Sequence, residues 1–189
     1  MNALLAHTPR LADSTASSVQ VASQTDLPNQ LLLTHILDAQ RSGNNCLPEQ
    51  LGLDAVAYSA LLQRHFHSPL TRHRTEPCNS HDSPLQQAIQ ERGQLRQQLL
   101  DLRRDEWQEL HDLLLQHRAG LDESEIWLAA IIAAACLGSS HLWRDLGLPS
   151  RDALRQLLLH NFPLLARRND RDMRWKKFFY KQLCEQQGG

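Results

Sequence analysis

Apolar residues recur at helical spacing through most of the chain, and the stretches between them are short and rich in Gly, Pro, Asp and Ser. In LPNQLLLTHILDAQRSG, Leu31, Leu32, His35, Ile36 and Ala39 form a helical stripe that Gly43 stops. LDAVAYSALLQRHF offers Asp54 as an N-cap and then places Ala57, Tyr58, Leu61, Leu62 and Phe66 on one face. From Pro84 to Ala119, Leu85, Ile89, Leu95, Leu99, Leu102, Leu110, Leu113 and Leu114 predict one long amphipathic helix, or two broken near Gly93 or Arg104. LDESEIWLAAIIAAACLG is apolar all round, which predicts a central buried helix. Asp122 and Glu125 suit a capping box at its start, and Gly138 marks its stop. Ser150 is placed to cap Arg151 to His160, Pro163 opens a short turn, and Asn169 with Asp172 is placed to cap a last helix from Asp170 to about Gln186.

No segment alternates as a strand would. The expectation is an all-α fold: a single bundle-like domain of about six to eight helices over residues 27–189. Residues 1–26, rich in Ser, Thr, Ala and Gln, read as a disordered tail, and 67–84, with three prolines and scattered histidines, as a mobile loop. Those histidines invite a metal reading, but a scattered set in a loop lacks ordered geometry, and solvated surface histidine is the common case.

The chain has 189 residues, 41% of them hydrophobic, enough for one core. Its formal net charge of -1 conceals an asymmetry: from His141 onward ten Arg or Lys stand against five Asp or Glu, a local balance of +5. The basic residues Arg167, Arg168, Arg171, Arg174, Lys176 and Lys177 suit an acidic partner, with Arg174, Lys176 and Lys177 as the contact residues. No nucleic-acid reading motif accompanies them, so no nucleic-acid partner is expected. The longest apolar run, Ile126 to Leu137, is about 12 residues, short of the roughly 20 that span a bilayer, and no membrane role is expected. The opening MNALLAHTPRLADS lacks a secretory pattern, which predicts a cytoplasmic protein with Cys46, Cys78, Cys136 and Cys184 as free thiols.

Candidate chemistry gathers after the buried helix. His141 and Asp145 are four apart. Either Asp145 orients His141 as a metal ligand, or the two hydrogen-bond and close the helix end. Cys136, just before, is either a small apolar filler or a ligand converging with His141. In MRWKKFFYKQLC, Trp175, Phe178, Phe179 and Leu183 share a core face. Lys176, Lys177, Tyr180 and Cys184 fall on an adjacent one, where cationic neighbours favour a thiolate ligand for a soft metal. Neither a nucleophile elbow nor a phosphate-binding loop is present, so the chain is not expected to be an enzyme.

The strings LLLQHRAG, WLAAIIAAACLGSSHLWRDLGLPSR and NDRDMRWKKFFYKQLC resemble the NifQ family over roughly Leu113 to Cys184, and more loosely back to Leu27. The resemblance implies a cytoplasmic helical protein of nitrogen fixation. Such a protein carries molybdenum in an iron-sulfur cluster and donates it for nitrogenase iron-molybdenum cofactor synthesis, with the NifEN scaffold and nitrogenase iron protein as partners. Thiolate ligands suit that cargo. Family members typically continue into a C-x4-C-x2-C-x5-C tail, whereas this chain stops at CEQQGG after Cys184. Cys184 corresponds to the cysteine before that tail, and Cys136 with His141 to a C-x-G-x-x-H-L-W portion. The metal-ligand set implied here is therefore Cys184, Cys136 and His141, with Asp145 behind them. A cluster wants about four cysteines, so a second chain or a partner would supply the rest. The alternative is a metal-free helical interaction module that has lost its cluster site.

Overall fold

The computed structural model describes residues 27–66 and 83–188. The predicted tail and all of the predicted loop except Ser83 and Pro84 lie outside the described residues, as does Cys78. Ser83 and Pro84 belong to a helix: the Ser83 hydroxyl accepts from the Gln86 N–H, and Pro84 is the first helical residue. A proline costs nothing there, because its missing N–H would have had no partner in the first turn.

The described residues form nine helices and no strand: α1 Leu27–Arg41, α2 Ala55–Phe66, α3 Pro84–Leu102, α4 Arg104–Gln116, α5 Ser124–Cys136, α6 Leu142–Leu146, α7 Arg151–Asn161, α8 Pro163–Arg167 and α9 Trp175–Gln187. The count exceeds the expected six to eight because α6 and α8 are single turns of five residues and the long pattern breaks at Arg103. Gly93 does not break it. It lies buried inside α3, where a side chain would approach Glu49. None of these helices is long and apolar enough to cross a membrane.

The centre of the fold is α5. Every residue from Trp127 to Cys136 is buried, and its five alanines allow neighbouring elements to come close. α4 lies along it through Leu110, Leu113 and Leu114, while the Trp107 indole donates to the Ala130 carbonyl at 3.2 Å. α9 packs against α4 and buries Trp175, Phe178, Phe179 and Leu183, the face predicted for it. α1 packs on α7, and there Asn29 and Asn161 exchange two 2.8 Å amide hydrogen bonds in a buried pair. Gly147 ends α6 at φ +77°; a Cβ there would lie 2.2 Å from that of Ala39, so α1 and α6 meet only over a glycine.

Several local expectations shift. The buried face of α1 is Leu33, Ile36 and Leu37, with Leu31 and His35 turned to solvent. Leu85, Leu95 and Leu102 of α3 are also exposed. The capping box is redistributed: Asp122 accepts from the Ser124 N–H at 2.6 Å, and buried Glu125 accepts from the N–H groups of Gly120 and Leu121. The last helix starts at Trp175, later than predicted. The Asn169 amide instead brackets both backbone groups of Met173, and Asp172 sits at φ +49°, so these residues build the loop and do not cap a helix. Asp54 and Ser150 cap α2 and α7 as the sequence predicts.

Candidate functional site

A helix end leaves carbonyls without intrahelical partners, and in a buried position those carbonyls need donors. The end of α5 receives them from two distant elements. Arg103, between α3 and α4, donates to the Leu137 carbonyl at 3.1 Å, and Lys176, in the first turn of α9, donates to the Gly138 carbonyl at 2.7 Å. Both donors are cations at a helix C-terminus, where the backbone dipole favours positive charge.

Asp145 organises the same spot. Its carboxylate takes the Lys176 ammonium and the Ser140 N–H at 3.0 Å, and its carbonyl takes the Cys46 N–H at 3.0 Å. Gly138 permits this crowding, for a Cβ there would stand 2.5 Å from the Cys46 sulfur and 2.7 Å from the Asp145 carboxyl carbon. On the other side, Glu106 receives Arg103 through a two-pronged contact at 2.6 and 2.5 Å and the Tyr180 hydroxyl.

Two thiols lie within this polar collar. Burial pushes Cys46 up to about 12, and the nearby Asp145 carboxylate acts in the same direction. Cys136 is also pushed up to about 12, by burial first, with Lys176 opposing and Cys46 reinforcing. Burial thus holds both thiols in the protonated form at neutral pH. Tyr180 is likewise raised by burial and by its bond to Glu106.

The predicted ligands are dispersed. Cys136 is buried at the end of α5, His141 is exposed at the start of α6, and Cys184 is exposed on α9, just over two turns or roughly 12 Å beyond Lys176. Asp145 does not orient His141; it holds Lys176 and Ser140. Among the described residues the His141 imidazole makes no hydrogen bond, and no three His, Cys, Asp or Glu side chains are grouped for a metal ion. The adjacent-face set also divides: Lys176 turns to the buried Asp145 carboxylate and Tyr180 to the partly buried Glu106, whereas Lys177 and Cys184 remain exposed.

The start of α9 and the turn into α6 enclose an open groove of about 740 Å³. His141, Trp143 and Arg144 from the turn into α6 and Arg174, Trp175 and Lys177 from the start of α9 line it. Arg151 and Lys176 also border it. Of the predicted partner-contact residues, Arg174 and Lys177 are exposed in this groove and Lys176 is bound to Asp145. Sequence reasoning missed Cys46, Arg103, Glu106, Arg144 and Arg151. They come from separate parts of the chain, and no spacing links them.

The NifQ family pattern matches residues 32–189, covering nearly all the helical body and every residue of this site. The chain belongs to the NifQ family. It is 52% identical over 168 residues to Protein NifQ of Azotobacter vinelandii, an alignment covering 89% of this chain and 82% of that protein. It is 35% identical over 151 residues to Protein NifQ of Klebsiella pneumoniae, covering 78% and 79%. To the Protein NifQ homolog of Sinorhizobium fredii it is 34% identical over 159 residues, covering 83% of this chain and 60% of that one. No solved structure matches the chain. In this NifQ-family chain, the HLWRDLG and RWKK strings that carry the resemblance meet through Lys176 and Asp145.

Proposed function

We propose that this chain handles molybdenum as cargo for assembly of the nitrogenase iron-molybdenum cofactor, a non-catalytic carrier of the cytoplasm. The observation that carries the reading is NifQ-family membership over residues 32–189, with 52% identity to the Azotobacter vinelandii protein. Family character supplies the cargo and the recipients: molybdenum within an iron-sulfur cluster, passed toward the NifEN scaffold with nitrogenase iron protein taking part.

The described residues bring part of a thiol ligand set together. Cys46 and Cys136 lie close enough to influence one another, which is half of the about four thiols that an iron-sulfur cluster takes. Cys184 and His141 are accessible ligands on the surface, while Cys136 becomes one only when the collar of Arg103, Lys176 and Asp145 opens.

The test is metal content and growth. Purified without oxygen from nitrogen-fixing cells, the chain is expected to carry molybdenum and iron together, with both reduced by Cys184→Ala. It is also expected to restore nitrogen-dependent growth at limiting molybdate to a strain lacking its own copy. A folded chain with neither metal and no effect on growth overturns the reading.

A further inference from the structure

The groove between the α5–α6 turn and the start of α9 carries charge that the fold leaves uncompensated. Among the described residues, five cationic side chains line it, Arg144, Arg151, Arg174, Lys176 and Lys177, and no carboxylate does. Two are engaged: Arg151 with Asp172 at 3.0 Å and Lys176 with Asp145. Arg144 rests over the Trp143 ring at 5.0 Å. Among the described residues, Arg144, Arg174 and Lys177 have no acidic partner, and the imidazole of His141 beside them has no hydrogen bond.

Like charges gathered in a concavity repel one another, and the field they focus there draws an anion. Guanidinium groups hold paired N–H donors in a plane, which matches two oxygens of an oxyanion. The ammonium of Lys177 adds a point charge, and an imidazole N–H adds a further donor. The indole walls of Trp143 and Trp175 exclude part of the water and strengthen each contact. A concave site that gathers charges from two segments of the chain favours a compact, charge-dense ion over an extended acidic chain, which a convex basic surface would serve.

We propose that this groove is a receiving site for a tetrahedral oxyanion, with Arg144, Arg174 and Lys177 as its charged contacts and the His141 imidazole as a further N–H donor. Resting on the molybdenum-handling reading, the anion is molybdate, the form in which oxidised molybdenum dissolves in neutral water. The site adjoins the end of α5 through Lys176, which lines the groove and is bonded to Gly138 and Asp145 beside the two buried thiols.

Calorimetric titration of the full chain tests this, with sodium molybdate, sodium tungstate and sodium sulfate as probes and a glutamate-rich peptide as competitor. Molybdate and tungstate are expected to saturate one site, more weakly as sodium chloride rises. Arg174→Ala and Lys177→Ala are each expected to weaken binding about tenfold, the loss of one charge-assisted contact. Lys181→Ala, on the same helix but outside the groove, is expected to bind as the parent does, and circular dichroism checks that each variant keeps its helices. A folded chain with no saturable molybdate binding overturns the proposal. So does equal binding in Arg174→Ala and Lys177→Ala, or a peptide that occupies the groove and is not displaced by molybdate. Sulfate binding as tight as molybdate overturns the assignment to molybdenum. Failure of the two readings is separable. Molybdate bound in the groove by a chain without effect on nitrogen-dependent growth sinks the molybdenum-handling reading alone. Normal metal content in an Arg174→Ala, Lys177→Ala double variant sinks the groove alone.

Discussion

The Lys176 ammonium, in the first turn of α9, is bound to the Asp145 carboxylate in α6, and the pair closes the end of the buried α5 helix. Their side chains are 17% and 7% exposed, so water screens the pair little. Removing one partner strands the other near the core. Lys176→Ala and Asp145→Ala are each expected to destabilise the chain by about 2–4 kcal/mol, and the double variant by at least about 1 kcal/mol less than their sum. Urea unfolding of the four proteins measures this, and additive losses would show that the two residues act separately.

Gly138 is needed for space. A Cβ there meets the Cys46 sulfur at 2.5 Å and the Asp145 carboxylate oxygen at 2.8 Å, neither of which is the free end of a flexible side chain. Gly138→Ala is expected to cost about 2 kcal/mol or more through overpacking. Adding Cys46→Ala should return part of that loss, since it removes one of the two obstacles. Thermal melting of the single and double variants decides, and an unchanged melting temperature in Gly138→Ala would contradict the observed crowding.

Thiol accessibility separates the cysteines. In a Cys78→Ser background, Cys184 is expected to react promptly with a disulfide reagent, because it is exposed. Cys46 and Cys136, buried and held protonated, should react only as the native structure opens. Peptide mapping after a short alkylating pulse reads this directly. Prompt labelling of Cys136 would mean that the collar around α5 is open in solution.

Stability is expected to have a plateau in pH with a loss on each side. Cys46 and Cys136 are raised from 9.0 to about 12 in the folded state. Above about pH 9 the unfolded chain releases these protons while the folded chain keeps them, so stability falls as pH rises, by up to about 1.4 kcal/mol per pH unit for each thiol. His65 and His111 are lowered from 6.5, chiefly by burial. Below 6.5 the unfolded chain takes up these protons first, so stability falls as pH falls. Urea midpoints across this range are expected to peak between these limits, with Cys136→Ala flattening the alkaline side and His65→Gln the acidic side.

Much of the fold was legible because its signals are local. The apolar run of α5, the Asp54 and Ser150 caps and the aromatic face of α9 each follow from residues a turn apart, where side-chain spacing and backbone geometry are linked. The start of α9 was not legible, because Asn169 is as able to bracket a loop as to cap a helix, and the burial of Trp175 decides between them. The exposed leucines of α3 mislead for a related reason: periodicity marks a face and does not say whether a neighbour covers it.

Family character was also readable from the chain alone, since long strings around Cys136, His141 and Trp175 carry it. By itself the sequence determined helices, their caps, a single buried central helix and an excess of positive charge after His141. Only the tertiary structure decided that Asp145 serves Lys176 and not His141, that Cys46 joins Cys136, and that Arg144, Arg174 and Lys177 surround one groove. The reason is physical. Spacing along a helix fixes which residues share a face, but the partner of a buried charge is set by whichever distant donor must satisfy the open carbonyls at the end of α5.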